Sequence, residues 1–178
     1  RNETTDARSI MCWGNSENGQ IGSGSLLDNL GEPSTSKMVK TDELTVLGIV
    51  DNSEYYSTSP NDVMKIFTNK YLTNGHNCAI SYVGHVKCWG YNGYGQLGIG
   101  NTTTIGDGPN EMGENQKFVP LGTNRTAKDM ALGNYHSCAI LDNDSVKCWG
   151  YNGYGQLGLG NTTQIGDNVY EMWGDRHT

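Results

Sequence analysis

The stretch VKCWGYNGYGQLGIGNTT at residues 86–103 recurs as VKCWGYNGYGQLGLGNTT at 146–163, with Ile99 exchanged for Leu159 as the single change. The repetition extends on both sides. HNCAI (76–80) matches HSCAI (136–140), and TIGDGPNEM (104–112) matches QIGDNVYEM (164–172), all at a spacing of 60 positions. A worn third copy, MCWGNSENGQIGSG at 11–24, keeps Cys12, Trp13 and Gly14 and then Gly19, Gln20, Ile21, Gly22 and Gly24, but lacks the upstream strand. Self-similarity at a fixed period marks architectures whose single unit cannot bury both faces and stacks on its neighbours instead.

Each whole copy begins as two short alternating apolar runs around a turn, HNCAISYVGHVKCWG and HSCAILDNDSVKCWG. Both read as β-hairpins. With Val83 and Asn143 at the turn apices, Cys78 stands opposite Cys88 and Cys138 opposite Cys148, each pair being equidistant from its apex. Antiparallel neighbours bring such Cα atoms to about 4.5–5.5 Å, within disulfide range. Zinc ligation is disfavoured because Cys-x9-Cys lacks close ligand pairs, and buried thiols remain the other alternative. GYNGYGQLGIG has too many glycines for a continuous strand. Its glycines suit positive φ or close backbone approach, Leu97 and Leu157 are expected in the core, and Gln96 and Gln156 can serve loop amides. No GKS or GKT ending and no helix pattern follow, so the glycine run is not a phosphate loop.

Composition narrows the function classes. The chain has 178 residues, 19 acidic against 12 basic, a formal net charge of −7, 25 glycines, and 10 tyrosines against 2 phenylalanines. Acidic excess without a Lys/Arg cluster disfavours nucleic acid and anionic membrane surfaces. No apolar run approaches a membrane span, so no membrane insertion is expected. The first residue, Arg1, carries no methionine or signal peptide, which suggests a processed or partial product.

The combination of His-x-Cys-Ala-Ile, a turn, and Val-x-Cys-Trp-Gly-x-Asn-x-x-Gly-Gln-Leu-Gly-x-Gly resembles the regulator of chromosome condensation repeat, in a cysteine-containing extracellular version. The resemblance covers about two thirds of the chain. It implies an all-β fold of β-propeller-type blades, each a four-stranded antiparallel sheet, here as a partial propeller or an assembled repeat array. The founding nuclear member of that family is an exchange factor for a small GTPase on chromatin, a role that acidic charge and paired cysteines do not suit. As a single repeat region, the chain divides into a partial worn repeat (1–30), an insertion-bearing connection (31–75), a whole repeat (76–135) and a whole repeat lacking its last part (136–178). Trp13 and Trp89 are 76 positions apart instead of 60, which places about 16 inserted residues, best located within IVDNSEYYSTSPND (49–62). MKIF (64–67) occupies the place of KDMA (128–131), so a strand is preferred to a helical turn there.

Several residues invite functional readings. His76 with Cys78, and His136 with Cys138, share a strand face, but a pair repeated blade by blade suits structure better than nucleophilic catalysis, and no enzyme activity is expected. Asp107, Asn110 and Glu111 could hold calcium; the second copy keeps only Asp167 and Glu171, which favours an Asx-type turn, and neither metal nor cofactor is expected. Asn2, Asn101, Asn124, Asn143 and Asn161 lie in glycosylation sequons. Tyr91, Tyr94, Tyr151 and Tyr154 are replaced in the worn copy by Asn15 and Asn18, so the fold does not demand tyrosine there, and these four are the candidate contact surface.

Paired cysteines lead to a secreted, extracellular location. The ends look like halves of one broken repeat: His177-Thr178 mimics His76-Asn77, and Cys12 lacks its partner strand. Cys12 is therefore expected as a free or intermolecular thiol. The expected function is an extracellular structural protein whose partners are copies of itself or other repeats of the same polypeptide, polymerising head to tail into filaments. The alternative is a ligand- or protein-binding propeller module of receptor or inhibitor type.

Overall fold

The computed structural model describes Asn18, residues 63–69 and residues 74–173. Cys12, Asn2, the worn first copy apart from Asn18, the inserted segment and both chain ends lie outside these residues. Six strands form in two triplets: β1 (Val63–Thr68), β2 (His76–Ser81) and β3 (Val86–Gly90), then β4 (Ala127–Leu132), β5 (His136–Leu141) and β6 (Val146–Gly150). Each triplet is an antiparallel sheet in sequence order. The described residues are thus all-β, a partial array of propeller-like blades. The strand expected at MKIF is β1, pairing Phe67 with Cys78 as β4 pairs Ala131 with Cys138.

Among the described residues the blades are narrower than the four-stranded ones that the resemblance implies. There a fourth edge is present only as single bridges, Gly90 to Ile105 and Gly150 to Ile165. The residue after each bridge, Gly106 or Gly166, turns to φ of +97° or +100° and cannot continue a ladder.

Both hairpins close through the same turn. The Gly84 N–H donates to Ser81 O and the Ser81 N–H to His85 O, with Gly84 at φ +80°. In the second hairpin Asp144 takes the left-handed position at φ +66°, a conformation that Asp and Asn tolerate better than other side-chain-bearing residues. The register sets Cys78 opposite Cys88 and Cys138 opposite Cys148. Both pairs are disulfides, with Cα atoms 4.0 and 4.1 Å apart.

The long loop after β3 is organised by Asn92, which is fully buried. Its Nδ2 donates to the carbonyls of Asn101 and Thr103 at 2.9 and 3.0 Å, and its Oδ1 accepts from the Leu97 N–H at 2.9 Å. Asn152 does the same with Asn161, Thr163 and Leu157. One side-chain amide thereby replaces the ladder that the glycines cannot form. Leu97 and Leu157 are driven into the core beside it, where Val119, Leu121, Met130, Leu141, Trp149 and Met172 are also buried.

The two blades meet face to face. Ser137, Ala139 and Leu141 alternate inward on β5, and Lys147 and Trp149 on β6. The Gln96 carbonyl accepts two hydrogen bonds across the joint, from Trp149 Nε1 at 2.9 Å and from Ser137 Oγ at 2.8 Å. The Ser137 hydroxyl has one proton and gives it to Gln96, so His76 Nε2, 2.8 Å from Ser137 Oγ, must be the donor in that contact. Gly98 permits this closeness: a Cβ there would lie 2.7 Å from Trp149 Nε1. Burial, with His136 adding a smaller effect, lowers the His76 pKa to about 3, so the ring is neutral.

Two outcomes follow from this packing. Non-reducing peptide mapping should return Cys78 linked to Cys88 and Cys138 to Cys148; a crossed pairing would contradict the hairpin register. Removing either bridge as a double Cys→Ala variant should lower stability by roughly 2.5–3 kcal/mol, the chain-entropy value for a loop of about ten residues, read from urea unfolding.

The second concerns pH. A histidine held below its unfolded pKa of 6.5 lets the unfolded chain bind the extra proton, so its stabilising contribution is present above 6.5 and is lost as pH falls from 6.5 toward about 3. His76→Gln, which keeps an N–H donor for Ser137, should lose less stability than the parent between pH 7 and pH 4.5; equal slopes would show that His76 does not titrate with unfolding.

Candidate protein-interaction surface

The four tyrosines singled out in the sequence lie at one end of the blades, where the hairpins are open. Tyr91 and Tyr151 directly follow β3 and β6, while Tyr94 and Tyr154 sit three residues later in the Asn-organised loops. The structure brings them into one chain of rings and adds a fifth, Tyr135, immediately before β5. Centroids of Tyr91 and Tyr94 are 6.3 Å apart, Tyr94 lies 5.0 Å from both Tyr135 and Tyr151, and Tyr151 is 5.9 Å from Tyr154. Tyr135 also meets Tyr91 at 6.3 Å and Tyr151 at 6.4 Å. The pairs are tilted or edge-on, as the ring quadrupole prefers.

The ladder crosses the joint between the blades. Tyr94 belongs to the first loop and Tyr151 to the second, and Gly95 draws the loops together: a Cβ on Gly95 would lie 2.5 Å from the Asp167 backbone nitrogen. Gln96 Oε1 accepts from the Tyr94 N–H and Gln156 Oε1 from the Tyr154 N–H, both at 2.9 Å, which fixes the backbone from which these rings project. Tyr91 has its pKa raised, first by burial and then by Tyr94 and Tyr135. At the other end Tyr154 is 89% exposed. Asn74 Nδ2 reaches the Tyr135 hydroxyl at 3.4 Å, and Asn18, the worn-copy counterpart of Tyr94, contacts Asn74 at 3.5 Å, so the ladder gives way to amides where the worn copy begins.

Tyr135 escaped the sequence reading because its counterpart in the first copy is Gly75, which breaks the repeat pattern at that point. Asn92 and Asn152 stand in the repeat motif, at the fifth position of Cys-Trp-Gly-Tyr-Asn in both whole copies, but their role as loop organisers escaped the sequence reading.

Other candidate residues have structural partners. Glu111 Oε2 accepts from the Gly106 and Gly108 N–H groups at 2.8 Å each, and Glu171 Oε2 from Gly166 at 2.9 Å and Asn168 at 3.2 Å. The loop expected as an Asx-type turn is therefore tied by its glutamate. Burial and the neighbouring acid raise the pKa of Asp107, burial being the larger effect, and burial likewise leads for Glu171. No group of three metal-ligating side chains occurs among the described residues. Asn101, Asn143 and Asn161 each accept a hydrogen bond from the N–H two residues on, as turn formers do, and Asn124 takes φ +55°. No helix among the described residues is long and apolar enough to cross a membrane.

Comparison with known proteins adds the family context. Residues 84–140 and 127–156 match models of the regulator of chromosome condensation (RCC1) repeat. Among curated proteins, the chain is 36% identical over 85 residues to human HERC6, a probable E3 ubiquitin-protein ligase, covering 48% of this chain and 8% of that protein. It is 28% identical over 159 residues to the ultraviolet-B receptor UVR8 of Arabidopsis thaliana, covering 86% of this chain and 28% of the receptor. Among solved structures, yeast RCC1 (Prp20) bound to Kap60 superposes with a TM-score of 0.58 at 20% identity, over 96% of this chain and 34% of that one. A second structure of Prp20p, from Saccharomyces cerevisiae, described with its binding to Gsp1p and histones, gives a TM-score of 0.50 at 18% identity over 80% of this chain and 28% of that one. The chain thus spans about a third or less of the length of these relatives.

These findings correct the expectation of an extracellular version of the repeat. The partners named for the solved relatives are Kap60, Gsp1p and histones, other proteins and not copies of the same chain. The secreted location, the structural filament and self-association as the mode of partnership are overturned on that ground. The physical error lay in reading a compartment from cysteine spacing. Hairpin register alone brings Cys78 to Cys88 and Cys138 to Cys148, whatever compartment the chain occupies. From Gly84 to Gln156, which takes in β3, the whole second sheet and all five ladder tyrosines, the sequence is similar to the RCC1 repeat.

Proposed function

We propose that this segment is a non-enzymatic protein-binding module of a propeller-type repeat array, and that it engages its partner through the open-hairpin end of the blades. The observation that carries the reading is the tyrosine ladder. It crosses a blade joint without interruption, stands on loops whose backbones are fixed by Asn92, Asn152, Gln96 and Gln156, and runs out to Tyr154 in solvent. Tyrosine supplies large contact area with few rotatable bonds and so binds at small entropic cost. Solved proteins of similar fold, Prp20 among them, are named with protein partners, which supports the same class of function. The single Ser–His contact in the joint offers no nucleophile, because the Ser137 proton is committed to the Gln96 carbonyl.

Photo-crosslinking tests this. A benzoylphenylalanine at position 154 should give a discrete adduct with a different protein in cells. The same group at Asn143, in the turn at the opposite end of the β5–β6 hairpin, should give none. Adducts of equal yield from both positions, or only between copies of this chain, would overturn the assignment of the face.

A further inference from the structure

We infer that the tyrosine ladder takes an extended peptide segment carrying arginine or lysine at alternate positions, each cation seated against a ring. The inference rests on the proposed protein-binding role and names the chemistry of the partner.

Ring geometry is the first support. Centroids along the ladder are 5.0–6.4 Å apart. In an extended chain, side chains on one face recur about every 6.6 Å. A strand laid along the ladder therefore meets successive rings with successive same-side residues. The ring faces attract cations through their quadrupole, and the cation–π contact within the described residues lies elsewhere, Lys87 over Phe118 at 4.7 Å.

Charge is the second support, and it arises independently of the rings. Lys65, Arg125 and Lys128 are paired with Asp129, Asp142 and Asp144. Lys87 and Lys147 are buried, with their amines on the carbonyls of Gly113 and of Leu121 and Met172. Asp107, Glu111, Asp167 and Glu171 form no ion pair within the described residues, and the Asp167 loop packs against Gly95 beside Tyr94. Asp167 thus places a carboxylate outside any ion pair next to the ladder, and the whole chain carries −7; Lys117 is the one exposed described lysine that pairs with no acid. A stacking platform of this kind suits single-stranded nucleic acid in basic proteins. Here the sign of the charge repels phosphate and attracts a basic peptide.

The test uses the whole chain and a nine-residue peptide with arginine at every odd position and threonine between. The arginine peptide is expected to bind, and the version with norleucine for arginine to bind at least tenfold more weakly. Tyr94→Phe with Tyr151→Phe should retain affinity, since the ring faces remain. Tyr94→Leu with Tyr151→Leu, and separately Tyr154→Leu, should weaken binding severalfold; Tyr154 is so exposed that its replacement cannot disturb folding. Equal affinity for the norleucine peptide would overturn the inference in favour of plain apolar docking. Indifference to every leucine variant would reduce it to non-specific charge, and tighter binding of oligothymidylate would replace it with a nucleic-acid face. No binding at millimolar peptide, with an unchanged circular dichroism spectrum, would also overturn it. A crosslinked partner at position 154 would in that case leave the protein-binding role standing with a partner of other chemistry.

Discussion

The carbonyl oxygen of Gln96 is where one blade becomes attached to the next. It lies in a loop of the first repeat and accepts hydrogen bonds from Trp149 and Ser137 of the second, while His76 of the first repeat closes the circuit by donating to Ser137. A carbonyl that stays buried without partners costs on the order of 1–3 kcal/mol, so a shift of the second blade that breaks these bonds without admitting water is strongly disfavoured. The arrangement also has a direction. The acceptor comes from the Gly-Gln-Leu-Gly loop of the earlier repeat and the donors from the strands of the later one.

That carbonyl is in place because the loop that carries it is held from within. Asn92 supplies two donors and one acceptor from a single amide, and Asn152 repeats the pattern. A loop this rich in glycine would otherwise lose much conformational entropy on ordering. The same rigid loops carry Tyr94 and Tyr154, so the interaction face and the joint between blades depend on one structural device. The buried lysines extend the economy of side chains to backbone polar groups: Lys87 and Lys147 satisfy carbonyls of the connecting segments that no strand reaches.

Much of this was legible from residue order. The alternation in HNCAI and VKCWG, with equidistant cysteines, implies both hairpins and their register, and the correspondence of MKIF with KDMA locates β1. Leu97 and Leu157 sit in the core as their flanking glycines suggest. What was not legible depends on partners distant in sequence or on single backbone angles. Nothing local to Asn92 reveals that its amide spans to residues nine and eleven positions on, and nothing local to Tyr135 places it between rings from two other loops. That no fourth strand continues from the Gly90–Ile105 bridge among the described residues turns on one positive φ at Gly106, which composition alone leaves open. The partner class was misread because two cysteines that face each other in a hairpin say how the chain folds and not where it resides.

The two disulfides, identical in sequence context, occupy different environments. Cys78 and Cys88 are wholly buried, on the face of the first sheet that also carries His76 into the joint, whereas Cys138 and Cys148 are half-buried on the corresponding outer face of the second. Thiolate exchange requires in-line access to a sulfur atom, so a small reductant meets the two bridges in a fixed order. Within this chain the outer bridge is the one a reductant can reach with the joint closed; the inner one becomes reachable when the blades part. Its survival under mild reduction is thus a direct gauge of whether the joint at Gln96 is closed.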